Sequence, residues 1–162
     1  MKPFKVTGIQ YAALPFRIER RRLQILLITS RQTRRWIIPK GWPMNDLKPN
    51  EAAVTEAAEE AGLVGEVADR PIGSYRYLKR LKDEQSMAIQ VIVFPFRVTG
   101  QVLDFKEQGQ REFRWFGYQE AAGLVAEPSL RRLIREFGES QPTNGLIRAL
   151  RSYQTWRFGA RG

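Results

Sequence analysis

The sequence predicts a mixed α/β domain, on three observations. Strand-like apolar runs are interspersed with helical patterns along the chain, the signature of helices layered on a sheet. The length of 162 residues suits one domain, since globular domains usually run about 100–200 residues and one of this size buries roughly 70% of its unfolded surface. The composition, 43% hydrophobic and 27% charged, is that of a folded globular chain and not of a disordered basic tail. No repeat, low-complexity tract or linker divides the chain, so one domain is expected over residues 1–162.

The elements follow in order. Val6–Ile18 and Leu23–Ser30 read as two strands joined at an Arg-rich turn, because both are rich in aliphatic and aromatic residues. A short apolar run, Trp36-Ile37-Ile38, stops at Pro39, and Gly41–Pro49 carries the Gly, Pro, Asn and Asp of a loop. Asn50 can cap a helix that begins at Glu51, whose carboxylate suits the positive end of the dipole, and Gly62 can end it. A strand is expected over Val67–Tyr77, then a loop of mixed charge, then the strand Ala88–Val98, the most apolar stretch of the chain. Asp104–Arg114 is polar and loop-like, Phe113–Phe116 forms a last short strand, and helical patterns cover Gln119–Val125, Ser129–Phe137 and Asn144–Trp156.

Charge and composition exclude several chemistries. The chain has 27 Lys and Arg against 17 Asp and Glu, a net charge of +10, with no His and no Cys. Disulfides, thiolate nucleophiles, zinc-thiolate sites and an imidazole base are therefore ruled out. Any metal must be a hard cation held by oxygen, and any general base a carboxylate or another non-imidazole group. The apolar runs are far shorter than the roughly 20 residues that span a bilayer. In the first 22 residues Arg17, Arg20, Arg21 and Arg22 follow the apolar segment instead of preceding it, unlike a secretory signal. A cytoplasmic protein with no membrane partner is expected.

The segment Gly41–Leu63, GWPMNDLKPNEAAVTEAAEEAGL, holds the most information. At about 100° per residue, Glu56, Glu59 and Glu60 project within an arc of roughly 100°. Like charges at this spacing cost a few tenths of a kcal/mol each and lie toward the negative end of the helix dipole, so helix stability alone does not favour them. A divalent cation resolves the conflict, since Mg²⁺ or Mn²⁺ prefers carboxylate oxygens and water. A solvated acidic face paired with nearby Arg is the plainer explanation of the three Glu taken alone.

Gly41, Glu56, Glu59, Glu60, Gly62 and Leu63 nevertheless resemble, at the right spacing, the sequence box of the Nudix hydrolases. That box reads Gly, five residues, Glu, seven residues, Arg-Glu, an aliphatic, any residue, Glu-Glu, any residue, Gly and an aliphatic. Trp36-Ile37-Ile38-Pro39-Lys40-Gly41 before the box, and Trp115-Phe116 with Glu120-Ala121-Ala122 after it, are also placed as in that family, so the resemblance covers about residues 8–138. It implies a Nudix-type α/β/α sandwich around a mixed sheet. Two positions depart from the pattern: Leu47 stands where the box has its first Glu, and Thr55 where it has the Arg that orients the catalytic carboxylates; Ala57 is a small substitute for the aliphatic.

The resemblance implies an enzyme that cleaves a diphosphate linked to another group, with Mg²⁺ or Mn²⁺ as cofactor and water as nucleophile. By position, Glu56 is implied as the general base or catalytic carboxylate and as a metal ligand, Glu59 and Glu60 as metal ligands, and the backbone carbonyl of Lys40 or Gly41 as a further ligand. The family often adds an acidic ligand from a downstream loop, for which Glu112, slightly favoured, or Glu107 could serve. The loss of the Arg at position 55 leaves room for a substitute Arg from elsewhere in the chain.

Arg31, Arg34 and Arg35 precede the Trp36–Lys40 run and can reach the side of the acidic helix, where arginine suits bidentate phosphate contacts and Lys40 adds a point charge. A phosphate-rich partner is expected, of the dinucleoside polyphosphate, nucleotide-sugar or inositol pyrophosphate class. Ser30-Arg31, Arg35–Pro39 and the Glu-Ala-Gly-Leu ending resemble the diphosphoinositol polyphosphate phosphohydrolase branch, although Gln85-Ser86-Met87 replaces a basic residue of those relatives. In Asn144–Arg161 an apolar stripe alternates with Arg, which suits a helix packed on the domain and, second to it, a basic arm for nucleic acid. The departures at Leu47 and Thr55 leave a second functional reading open, a catalytically weakened domain that binds nucleotide or RNA.

Overall fold

The structure, a computed structural model, describes residues 6–141. The expected C-terminal helix Asn144–Trp156 and the basic arm to Arg161 lie outside the described residues. The strands are β1 (Gly8–Glu19), β2 (Arg22–Thr29), β3 (Trp36–Ile37), β4 (Lys40–Gly41), β5 (Leu63–Val67), β6 (Gly73–Arg80), β7 (Ser86–Gln101) and β8 (Phe113–Gly117). The helices are α1 (Pro49–Ala61), α2 (Tyr118–Leu124) and α3 (Pro128–Ser140).

The strands form one mixed sheet. The long strands β1 and β7 pair in parallel from Gly8 with Ile89 to Phe16 with Arg97, and the remaining pairings are antiparallel. Arg20 and Arg21, with φ of 49° and 64°, make the tight turn between Glu19 and Arg22 that the twist of a two-residue hairpin requires. Beyond this hairpin β1 changes partner: Phe16–Glu19 pair with β2, whereas Tyr11 and Ala12 pair with Gly41 and Lys40 of β4. The sheet therefore divides beside Ala13, whose N–H donates to the Pro39 carbonyl at 3.1 Å, and the divide holds Lys40 and Gly41 over the start of β1.

Alternation along β1 sorts its side chains between two cores. Ala12, Leu14 and Phe16 face one core with Ile25, Val91, Val93 and the apolar residues of α2 and α3, including Leu130 and Ile134. Ala13 faces the other core with Leu26, Phe94, Phe96 and Ala53, Ala57 and Ala61 of α1. This is the expected α/β/α arrangement, with α1 alone on one face. The alanine stripe of α1 brings the helix backbone close to the sheet, which matters for the reach of its Glu side chains.

Several boundaries differ from expectation. The strand expected over Val67–Tyr77 is two strands, because exposed Asp69 and Arg70 bend the chain before Pro71, which has no N–H to continue a ladder. Helix α1 starts at Pro49, with Lys48 at its N-cap instead of Asn50; the Lys48 N–H donates to Glu51 Oε1 at 2.8 Å, and the Asn50 amide reaches the Ala68 carbonyl at 3.3 Å. Lys40 and Gly41 belong to a short strand, and β7 extends beyond Ala88–Val98 at both ends.

Candidate active site

A cleft of about 340 Å³ opens where β1, β4, β6, α1 and the loop between β7 and β8 meet. Glu56, Glu60 and Glu107 line it together with Lys40, Lys79, Arg31 and Arg111. Glu56 reaches the cleft across Gly41, and a Cβ at Gly41 would overlap the Glu56 carboxylate. The glycine that opens the sequence box is thus the seat of the Glu56 carboxylate.

Glu60 lies one turn further along α1, 4% exposed, and its Oε2 is buried with no hydrogen-bond partner. Burial pushes its carboxyl up to about 9, against the opposing charge of Arg111, and a hydrogen bond and repulsion from Glu56 add to the rise. Glu56 is also raised, first by burial and then by the charges of Glu59 and Glu107, while the bond from Glu60 and the charge of Lys106 oppose the rise. At neutral pH the cation-free pair therefore holds a proton. Lys40 is lowered to about 8, because the desolvation of its ammonium outweighs the attraction of Glu60 and Glu127. Its Nζ stands 5.0 Å from the centre of the Tyr77 ring, and the Tyr77 hydroxyl donates to Gln10 Oε1 at 2.6 Å.

The loop that supplies Glu107 is fastened to the C-terminal end of α1. Gly62 takes the left-handed conformation that ends the helix, with φ of 68°. The Val102 N–H donates to the Gly62 carbonyl at 2.8 Å, the Gln101 amide to Ala61 at 2.9 Å and the Glu107 N–H to Glu59 at 2.9 Å. Carbonyls that a helix end leaves open thus fix the course of the loop.

Arg111, from the same loop, was not among the residues singled out from sequence. Its Nη2 lies 3.2 Å from Glu107 Oε1 and 3.9 Å from Glu60 Oε2, and its Nη1 donates to the Thr29 carbonyl at 3.1 Å. A guanidinium therefore stands beside the acidic cluster although position 55 is Thr, whose hydroxyl donates to the Glu51 carbonyl. The lack of Arg at position 55, and the i,i+4 spacing of Arg111 from Glu107, are the sequence signals for such a residue. Gln10, Tyr77 and Lys79 were also missed, since strands distant in sequence bring them to the cleft.

Not every expected residue arrives there. Glu59 does not line the cleft; its Oε2 is 3.7 Å from Lys106 Nζ. Of the two downstream acids the cleft receives Glu107, whereas Glu112 is exposed outside it, which reverses the order of preference. The reason is backbone pairing: Glu112 exchanges bonds with Thr29 as the chain enters β8. Arg31 and Lys40 line the cleft, but Arg34 donates to the Gln110 carbonyl at 3.2 Å and Arg35 pairs with Glu127 at 2.8 Å, so neither is in its wall. Leu47 is exposed in the loop before α1 and contributes no oxygen donor.

Among the described residues no group of three acidic side chains is already gathered as a metal cage. Mg²⁺ does not need one preformed, since retained waters and substrate phosphates fill much of its coordination. The partnerless Glu60 Oε2 beside Glu56, with Glu107 across the cleft, fits a hard cation of this kind.

Comparisons with known proteins agree with the geometry. The NUDIX domain model matches residues 9–137. Nudix hydrolase 12, mitochondrial, of Arabidopsis thaliana is 30% identical over 119 residues, which are 72% of this chain and 59% of the relative. Diphosphoinositol polyphosphate phosphohydrolase 3-alpha of Mus musculus is 32% identical over 116 residues, 70% of this chain and 66% of the relative. The chain thus spans less than two thirds of each of these relatives. An Ap4A hydrolase of C. elegans shares the fold, with a TM-score of 0.59 at 15% identity over 83% of this chain and 98% of the other. No helix among the described residues is long and apolar enough to cross a membrane.

Proposed function

The chain belongs to the NUDIX domain family, and from that premise we propose that it is a divalent-cation-dependent hydrolase of phosphoric anhydride bonds in a diphosphate-containing substrate. The observation that carries this reading is the Glu56–Glu60 pair in the wall of a cleft lined by four cationic side chains, with the buried Glu60 Oε2 left without a hydrogen bond. Glu56, Glu60 and Glu107, with the backbone carbonyl of Lys40 or Gly41, would hold Mg²⁺ or Mn²⁺, and Glu59 could join them on leaving Lys106. When bound, the cation supplies a water of lowered pKa and neutralises charge on the diphosphate.

The protein's own residues divide the remaining work. Glu56, once ionised, accepts the proton of the attacking water on a carboxylate oxygen as the new oxygen–phosphorus bond forms and the bridging bond breaks. Lys40 and Arg31 receive the negative charge that develops on the phosphoryl and leaving oxygens. Lys40, with its pKa near 8, can also pass a proton to the leaving phosphate. Arg111 holds the Glu107 and Glu60 carboxylates in place, the task that the family assigns to the residue at position 55. This brace favours an enzyme over the alternative of a weakened nucleotide- or RNA-binding module.

The test is hydrolysis of a panel of dinucleoside polyphosphates, nucleotide sugars, capped RNA and inositol pyrophosphates in Mg²⁺ or Mn²⁺ buffer, with Glu56→Gln and Glu60→Gln as controls. Turnover that both substitutions abolish is expected. Equal turnover in the variants, or none with any substrate, overturns the proposal.

A further inference from the structure

In the proposed chemistry Lys40 receives charge at the phosphoryl group, and its long, flexible stem must be directed for it to do so. The two acids that attract it are drawn to other partners, Glu127 to Arg35 at 2.8 Å and Glu60 to Arg111 at 3.9 Å. What faces its ammonium is a ring. Lys40 Nζ stands 5.0 Å from the centre of Tyr77, inside the roughly 6 Å over which an aromatic face attracts a cation.

The ring is itself held. Lys40 lies opposite Ala12 across β4 and β1, and Tyr77 opposite Ile89 across β6 and β7; Ala12 and Ile89 belong to one core, so both side chains rise from the same face of the sheet. Gln10, two residues before Ala12 on β1, shares that face. The Tyr77 side chain spans β7 to reach it, and its hydroxyl donates to Gln10 Oε1 at 2.6 Å. Gln10 is 3% exposed, so packing fixes the acceptor, while the body of Tyr77 rests against the core beneath α2 and α3.

We propose that Tyr77, locked by Gln10, is a positioning residue that holds the Lys40 ammonium in the wall of the cleft. The inference rests on the hydrolase reading and adds a residue to it. A ring suits this task better than a carboxylate in contact would, because a carboxylate would neutralise the ammonium and compete with phosphate for it. The ring attracts the cation through its quadrupole and leaves the charge and the N–H donors of Lys40 for the substrate. Partial burial strengthens the contact, since less water screens it.

Two measurements test this. The first needs no substrate: two-dimensional NMR of the full chain carrying ¹³C-labelled lysine is recorded for wild type, Lys40→Met, Tyr77→Phe and Tyr77→Leu, each with a melting curve to verify folding. One lysine ε-methylene signal is expected upfield of the others through the ring current of Tyr77, and it should be missing in Lys40→Met. It should stay upfield in Tyr77→Phe, which keeps the ring, and return to the ordinary position in Tyr77→Leu. The second is turnover of the panel substrate that wild type cleaves fastest. Tyr77→Leu is expected to lose about fivefold to thirtyfold in kcat/KM, the worth of one partly buried cation–π contact, and Tyr77→Phe no more than about threefold. With Lys40→Met already in place, Tyr77→Leu should cost no more than about twofold further, whereas a ring that only supported the fold would cost as much in either background. The inference is overturned if the Lys40 signal lies at the ordinary position in wild type, if it stays upfield in Tyr77→Leu, or if the two losses of turnover multiply. Each of those results leaves the hydrolase reading standing, because that reading fails only when wild type cleaves no substrate or Glu56→Gln and Glu60→Gln match it.

Discussion

Replacing Glu60 by Gln should remove a specific pH dependence from the stability of the cation-free protein. Glu60 titrates at about 9 in the folded chain against 4.5 when unperturbed, so between those values the folded chain holds the extra proton. The stabilisation this proton represents is complete below the unfolded value and is lost as pH rises toward the folded one, at no more than about 1.4 kcal/mol per pH unit. Lys40 acts in the opposite sense, since its pKa falls from 10.5 to about 8 and the unfolded chain holds the extra proton between those values. Its contribution rises with pH above 8 and offsets that of Glu60 there, which leaves about pH 5 to 8 as the clear window. Gln retains the shape and donor capacity of the protonated carboxyl but cannot ionise. Urea denaturation in EDTA across that window should show the advantage of Glu60→Gln over wild type growing by about 1 kcal/mol per pH unit. Excess Mg²⁺ should stabilise wild type increasingly as pH rises, because binding displaces the proton, and should do so much less in Glu60→Gln. Parallel stability curves for the two proteins in EDTA would refute the placement of the proton on Glu60.

Three further substitutions probe how the carboxylates are held. Gly41→Ala places a Cβ in the volume of the Glu56 carboxyl; urea denaturation should change by less than about 1 kcal/mol because the flexible side chain can move, while turnover falls about tenfold to a hundredfold for a misplaced base. Arg111→Met leaves half-buried Glu107 with only the exposed Arg31, 3.5 Å from the same oxygen, so a loss of about 1–3 kcal/mol in urea denaturation is expected, partly recovered by adding Glu107→Gln. Gly62→Ala strains a residue at φ of 68° and drives a Cβ into the Val102 carbonyl. It should cost about 1–3 kcal/mol in the same assay, and a Mn²⁺ titration should show weaker binding as the Glu107 loop detaches.

What the sequence disclosed and what it concealed separate by the range of the forces involved. The aliphatic run of β1 and the spacing of Glu56, Glu59 and Glu60 are local properties of a strand and a helix, so both the strand and the acidic face could be read directly. Glu107 could not be preferred over Glu112, because that choice depends on which backbone groups are taken elsewhere. Thr29 holds Glu112 at the start of β8, while the Glu59 carbonyl at the end of α1 draws in Glu107. Arg35 was diverted in the same way by Glu127, and Arg111 was drawn inward by the Thr29 carbonyl and Glu107. A long-range consequence can nevertheless be legible when sterics impose it at one position. The glycine at 41 suits the site because the alanine stripe of α1 brings Glu56 so close that a Cβ there would displace its carboxylate, and the fixed interval between Gly41 and Glu56 is the linear trace of that contact.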